Sequence, residues 1–124
     1  MTGALVHKIQ TYKPIYSNPV IWNDRLYMGL LDKRTVRIDL DTGAVVWEHW
    51  AHSRIFATPE FIDEHLYIGS NDGRLYELDP ETGEELSFFQ TTERIVNKIA
   101  YNPKTGRIFL PTYANELYCL KRKE

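Results

Sequence analysis

Apolar and polar positions alternate in short bursts along this chain, and each burst ends at a turn signal. No helical period runs through them. Val20-Ile21-Trp22, the pair Asn23-Asp24 and the stretch from Arg25 to Leu30 read as a β-hairpin. Asp63-Glu64 marks the same kind of turn further on. A second turn lies at Asp32-Lys33, matched by Asn71-Asp72-Gly73, and a third at Asp41-Thr42-Gly43, matched by Glu81-Thr82-Gly83. Glycine takes positive φ in the last of these without a steric cost. Many strand positions are apolar on both faces, as in Leu66-Tyr67-Ile68, which is the pattern of a sheet covered on both sides.

These elements repeat. Asn18-Pro19-Val20 returns as Thr58-Pro59-Glu60, Leu26-Tyr27-Met28-Gly29 as Leu66-Tyr67-Ile68-Gly69, and Asp39-Leu40-Asp41-Thr42-Gly43 as Asp79-Pro80-Glu81-Thr82-Gly83, always 40 residues later. A third copy follows with a two-residue insertion at Asn102-Pro103-Lys104-Thr105-Gly106. Its Ile108-Phe109-Leu110 and Leu117-Tyr118-Cys119-Leu120 match positions 42 residues earlier. A period near 40 made of four short strands is the signature of β-propeller blades. The expected fold is therefore all-β: blades of four antiparallel strands, three to the chain, in one domain over residues 1–124.

The run Leu-Tyr-x-Gly, a turn, then Asp-x-x-Thr-Gly-x-x-x-Trp resembles the repeat of pyrroloquinoline-quinone-type (PQQ-like) propellers. Asp39, Thr42, Gly43 and Trp47 carry it in the first copy; Asp79, Thr82 and Gly83 carry it in the second, with Ser87 in the tryptophan's place. The resemblance implies that Trp47 docks between adjacent blades near a Thr-Gly turn. The repeats of WD40 propellers have a similar length, but their Gly-His and Trp-Asp signatures are missing.

The ends continue the register. Thr2-Gly3-Ala4-Leu5-Val6 matches Thr42-Gly43-Ala44-Val45-Val46, and Ile15, Ile55 and Ile95 are 40 apart. Residues 2–15 then hold the last strand of a permuted blade, 16–54 the first blade, 55–94 the second, and 95–124 the first three strands of the third. Propellers close with about 4 to 8 blades. Three open blades would expose two apolar faces and an unpaired edge. The expectation is a homodimer that closes a six-bladed ring, strand 3–9 of each copy pairing with strand 116–121 of the other.

Composition narrows the chemistry. A net charge of −2 offers no general attraction to nucleic acid or anionic membrane, so neither is expected as a partner. The lone Cys119 excludes an internal disulfide and reads as a packing residue. The start of the chain lacks the apolar run of a secretory signal, which makes a cytoplasmic setting the expectation. Residues near the first strand of each blade, Ser17, Asn18, Thr58, Asn97 and Lys98, are candidates for lining the central channel. His49 and His52 lack a defined ligand geometry, while His7 and His65 join no cluster. Lys121-Arg122-Lys123 reads as a solvated strand end. Tyr12, Tyr16, Trp50, Phe88 and Phe89 are expected to pack between blades, and any left at the rim would suit a protein partner.

No nucleophile elbow, phosphate loop or dinucleotide fingerprint is present. No cofactor is expected. The quinoprotein dehydrogenases that share the repeat need many more blades and typically a vicinal cysteine pair. The expected function is a non-catalytic scaffold or protein-interaction module. The alternative is a small metal-dependent hydrolase of the lactonase kind, or a ligand-binding propeller with its site in the channel, with Asn18, Asn97 and Glu60 as oxygen donors.

Overall fold

Turn chemistry dictates each blade. Asn23-Asp24 and Asp63-Glu64 both take positive φ at two successive residues, the twist that joins two antiparallel strands directly. The computed structural model, which describes residues 3–6, 8, 10 and 14–122, shows the strands on either side of these turns paired. In the first repeat they are β1 (Val20–Trp22) and β2 (Arg25–Gly29), followed by β3 (Arg34–Ile38) and β4 (Val45–Trp50). The second repeat gives β5 (Glu60–Ile62), β6 (His65–Gly69), β7 (Arg74–Leu78) and β8 (Glu85–Gln90). The third gives β9 (Ala100–Asn102), β10 (Arg107–Pro111) and β11 (Leu117–Lys121). The sheets run β1-β2-β3-β4, β5-β6-β7-β8 and β9-β10-β11, antiparallel throughout.

The turn between third and fourth strands is the same object twice. The Asp39 carboxylate accepts the amides of Asp41 (2.8 Å) and Thr42 (3.0 Å), and the Asp39 carbonyl accepts the Gly43 amide at 2.8 Å. The Thr42 and Asp41 amides hold the Asp39 carboxyl below the usual carboxylate range. In the second sheet the Asp79 carboxylate accepts the Glu81 amide at 2.8 Å, and the Asp79 carbonyl accepts the Gly83 amide at 2.8 Å. Thr42 and Thr82 each take the amide two residues on, at 3.2 Å.

Strand alternation sends one face of each sheet towards the next. Tyr27 and Trp47 of the first sheet meet Leu66, Ile68, Tyr76 and Leu78 of the second. Tyr67 and Leu75 of the second meet Ile108 and Leu110 of the third. The glycine of Leu-Tyr-x-Gly lets the sheets approach. A Cβ on Gly29 would lie 2.3 Å from Ile55 Cγ2, and one on Gly69 would lie 2.2 Å from Ile95 Cγ2. Ile55 and Ile95 begin the following blade and are fully buried, whereas Ile15 in the same register is exposed.

Three expectations change here. The far face of the first sheet is not open, since Met28, Leu30, Val36 and Ile38 form a buried cluster. The strand lead-in runs beside it, and the Leu31 amide donates to the Pro14 carbonyl at 3.2 Å. Second, Trp50, Phe88 and Tyr16 stay exposed instead of packing between blades, and Phe89 is only partly covered. Trp50 and Phe88 sit on fourth strands, the outermost of each sheet, where one face meets water; Tyr12 lies outside the described residues. Third, the described part of segment 3–9 forms no strand within its own chain, and Leu5 and Val6 are 81% and 80% exposed. Among the described residues the third sheet therefore keeps β11 as an edge.

Candidate functional site

The polar candidates precede the first strand of each blade, and most of them have partners within the chain. Ser17 is buried, and its hydroxyl accepts the Gly29 amide at 3.0 Å while facing the Gly29 carbonyl. The exposed Asn18 donates its amide to the Thr58 hydroxyl at 3.1 Å, tying the first blade to the second. Lys98 pairs with Glu60 at 3.4 Å, tying the second to the third. Asn97 is exposed beside Lys98. Among the described residues no three His, Cys, Asp or Glu side chains converge as a metal-binding group would.

The built features lie in the clefts between sheets. In the first cleft the Trp47 indole is buried, and its Nε1–H donates to the Pro80 carbonyl at 2.8 Å. The Tyr27 hydroxyl donates to the same carbonyl at 3.2 Å. The indole lies flat over Gly83, where a Cβ would stand 2.5 Å from its ring. Gly83 thus has two reasons to be glycine, its φ of +77° and this contact. His49 packs edge-on against Tyr76 and bonds Glu85 at 2.8 Å, away from His52. The His52 amide instead donates to Asp72 at 3.0 Å.

The second cleft follows the pattern of the first but lacks its tryptophan. Tyr67 stands for Tyr27, Ile108 for Leu66, Leu120 for Leu78 and Arg122 for Pro80, and Phe89 meets Tyr118 as His49 meets Tyr76. Ser87 stands where Trp47 does and is exposed, and an open volume of about 480 Å³ lies beside it.

A charge network borders that volume. Glu77 accepts from the hydroxyls of Ser87 (2.6 Å) and Tyr67 (2.8 Å) and pairs with His65 (2.7 Å) and Arg122 (3.2 Å). Arg122 also binds Asp63 at 2.6 Å. His65 therefore does join a cluster, and Arg122 is partly buried rather than a solvated strand end. Lys121 alone of the described basic tail is exposed. A repeat alignment shows the signal for this network only as a departure: Glu77 falls where the first blade has Arg37.

Burial pushes the Glu77 carboxyl up, but the bonds from Ser87, His65, Tyr67 and Arg122 outweigh it and hold the group at about 2. Burial and the neighbouring Glu77 carboxylate push the Tyr67 phenol up. A carboxyl depressed on folding stabilises the fold above its unfolded value and loses that contribution as pH falls through the folded one. Stability is expected to decline between an ordinary 4.5 and about 2. Glu77→Gln should flatten that decline in urea titrations taken at successive pH values. An unchanged slope would show that Glu77 does not drive it.

No match to the chain is found among curated proteins. Among solved structures it is similar to BamB from Moraxella catarrhalis, with a TM-score of 0.81 at 20% identity, over 91% of this chain and 35% of that one. It is similar to the WD40 β-propeller domain of Doa1, with a TM-score of 0.76 at 13% identity, over 86% of this chain and 36% of that one. A third likeness is to the quinohemoprotein alcohol dehydrogenase from Comamonas testosteroni, with a TM-score of 0.69 at 20% identity, over 79% of this chain and 17% of that one. These likenesses establish the propeller fold, and the chain spans about a third or less of each structure. The family model described as outer membrane protein assembly factor BamB, a PQQ-type repeat, matches residues 2–97. With that match spanning the first two sheets and the cleft between them, the chain belongs to the BamB-like family of PQQ-type propellers.

Proposed function

We propose that the chain is a non-catalytic propeller scaffold for protein interaction, and that a second copy completes it as a six-bladed ring. The observation that carries this reading is the edge at β11. Among the described residues the third sheet has three strands where the others have four, and residues 2–6 match Thr42–Val46, the turn and first residues of the fourth strand of the first sheet, in the 40-residue register. Leu5 and Val6 of that segment are exposed. In the first sheet Val36 pairs with Glu48 and Arg34 with Trp50. Carried through the repeat, Lys8 of one copy falls opposite Tyr118 of the other, and Gln10 opposite Glu116. The completed rim would present Val46, Trp50, Leu86 and Phe88, all exposed, to a protein partner.

A second reading has its own observation. Pro111 occupies the position of Gly29 and Gly69, where the isoleucine of the following blade presses close. A second copy would bring Ile15 there against a proline. Blades of a different sequence, in another chain or a longer one, would relieve that contact.

Cross-linking separates the two. Lys8→Cys with Tyr118→Cys, in a Cys119→Ser background, should oxidise to a disulfide between copies, visible as a chain dimer on a non-reducing gel. A disulfide within one chain, or none, would contradict exchange between copies.

A further inference from the structure

We propose that the cleft between the second and third sheets binds a planar aromatic compound with a ring N–H, close to indole in size. The template is in the same molecule. In the first cleft a buried indole shares one apolar cluster with Tyr27, Leu66, Ile68, Tyr76 and Leu78, and its N–H reaches the Pro80 carbonyl at 2.8 Å. The second cleft keeps the corresponding walls in Tyr67, Ile108, Leu110, Tyr118 and Leu120. The filling group itself is absent, because Ser87 replaces the tryptophan, and the Tyr67 hydroxyl turns to Glu77 where Tyr27 turns to the Pro80 carbonyl.

Beside Ser87 lies about 480 Å³ of open volume, with Tyr67, Leu75, Phe89, Ile108 and Leu120 among its apolar lining and Glu77, Lys121 and Arg122 among its charged lining. Apolar walls with a few fixed polar groups are the ordinary make-up of a small-molecule site. Two acceptors suit a ring N–H. One is the Arg122 carbonyl, at the position that corresponds to Pro80 in the repeat. The other is the Glu77 carboxylate, kept ionised by its partners and bordering the same volume. Glu77 and Asp63 are set against Arg122, while Lys121 stands exposed at the margin. A neutral ring with one donor leaves the pair of Glu77 and Arg122 intact, whereas an ion seated on either would have to break it. Filling a cavity with the group that its walls were shaped around recovers the contacts that an empty space forfeits.

Indole itself is the probe, titrated into the intact chain and followed by NMR. Saturable binding is expected, with contacts from indole protons to the methyl groups of Ile108 and Leu120. Ser87→Trp should supply the ring covalently, raise the unfolding midpoint and weaken indole binding at least tenfold. Ser87→Leu serves as a second filler and should also displace indole. Ser87→Ala leaves the space open and should keep binding. Contacts confined to other residues, or equal binding by the wild type and a folded filler variant, would overturn the proposal. So would no binding up to the solubility of indole.

Discussion

Trp47→Ala is expected to lower the free energy of unfolding by about 3–5 kcal/mol, the range for a buried large aromatic truncated to alanine. Trp47 crosses the first cleft. It packs with Tyr27 of its own sheet, bonds the Pro80 carbonyl, covers Gly83, and shares one buried cluster with Leu66, Ile68, Tyr76 and Leu78 of the next sheet. Its removal leaves a hole walled by rigid strands, which cannot collapse to fill it. Trp47→Phe keeps part of the apolar contact and loses the donor to the Pro80 carbonyl together with the volume of the second ring. That carbonyl retains the Tyr27 hydroxyl at 3.2 Å, so the lost hydrogen bond accounts for about 1 kcal/mol and the total should fall below that of Trp47→Ala. Urea titrations read both effects as shifts in midpoint. A cost below about 0.5 kcal/mol for Trp47→Ala, the range of unremarkable surface changes, would mean that the indole does not join the blades.

Gly69→Ala should be nearly as damaging for the opposite reason. The added Cβ would stand 2.2 Å from Ile95 Cγ2 and 2.8 Å from Ile95 Cβ. Ile95 is fully buried and packs in the core between the second and third sheets, so it has nowhere to withdraw. Overpacking of this kind costs about 1–3 kcal/mol and at times more. Ile95→Ala removes the clashing methyl and carries its own loss of about 2–5 kcal/mol. The diagnostic quantity is the coupling. Gly69→Ala should be much milder in the Ile95→Ala background, by about 0.5–3 kcal/mol. An equal penalty in both backgrounds would show that this contact does not set the spacing of the sheets.

The contrast between those two residues and the charge network shows what could be read in advance. Turns were legible, because Asn23-Asp24, Gly43 and Gly83 carry residues that tolerate the backbone those turns need. Strand number and order followed from the period. The partners across blades were harder. Arg122 meets Asp63 from 59 residues away, and nothing local to either residue announces the pair. His65 looked isolated because its partner Glu77 lies on the neighbouring strand, at a position where the first blade has arginine. Repeat alignment groups equivalent positions, so it brings out what every blade shares and hides what one cleft does alone. The departures Ser87, Glu77 and Pro111 were visible as mismatches, but their meaning needed the sheets beside them. Burial of the far face of the first sheet could not be read either, since it depends on where the lead-in to β1 runs.

The most direct measurement of the central claim is the molar mass of the purified chain by light scattering. A strand-exchanged ring predicts twice the 14.6 kDa of the single chain, held on dilution and lost when residues 2–10 are removed. A stable, folded monomer at 14.6 kDa would contradict closure of the ring by a second copy.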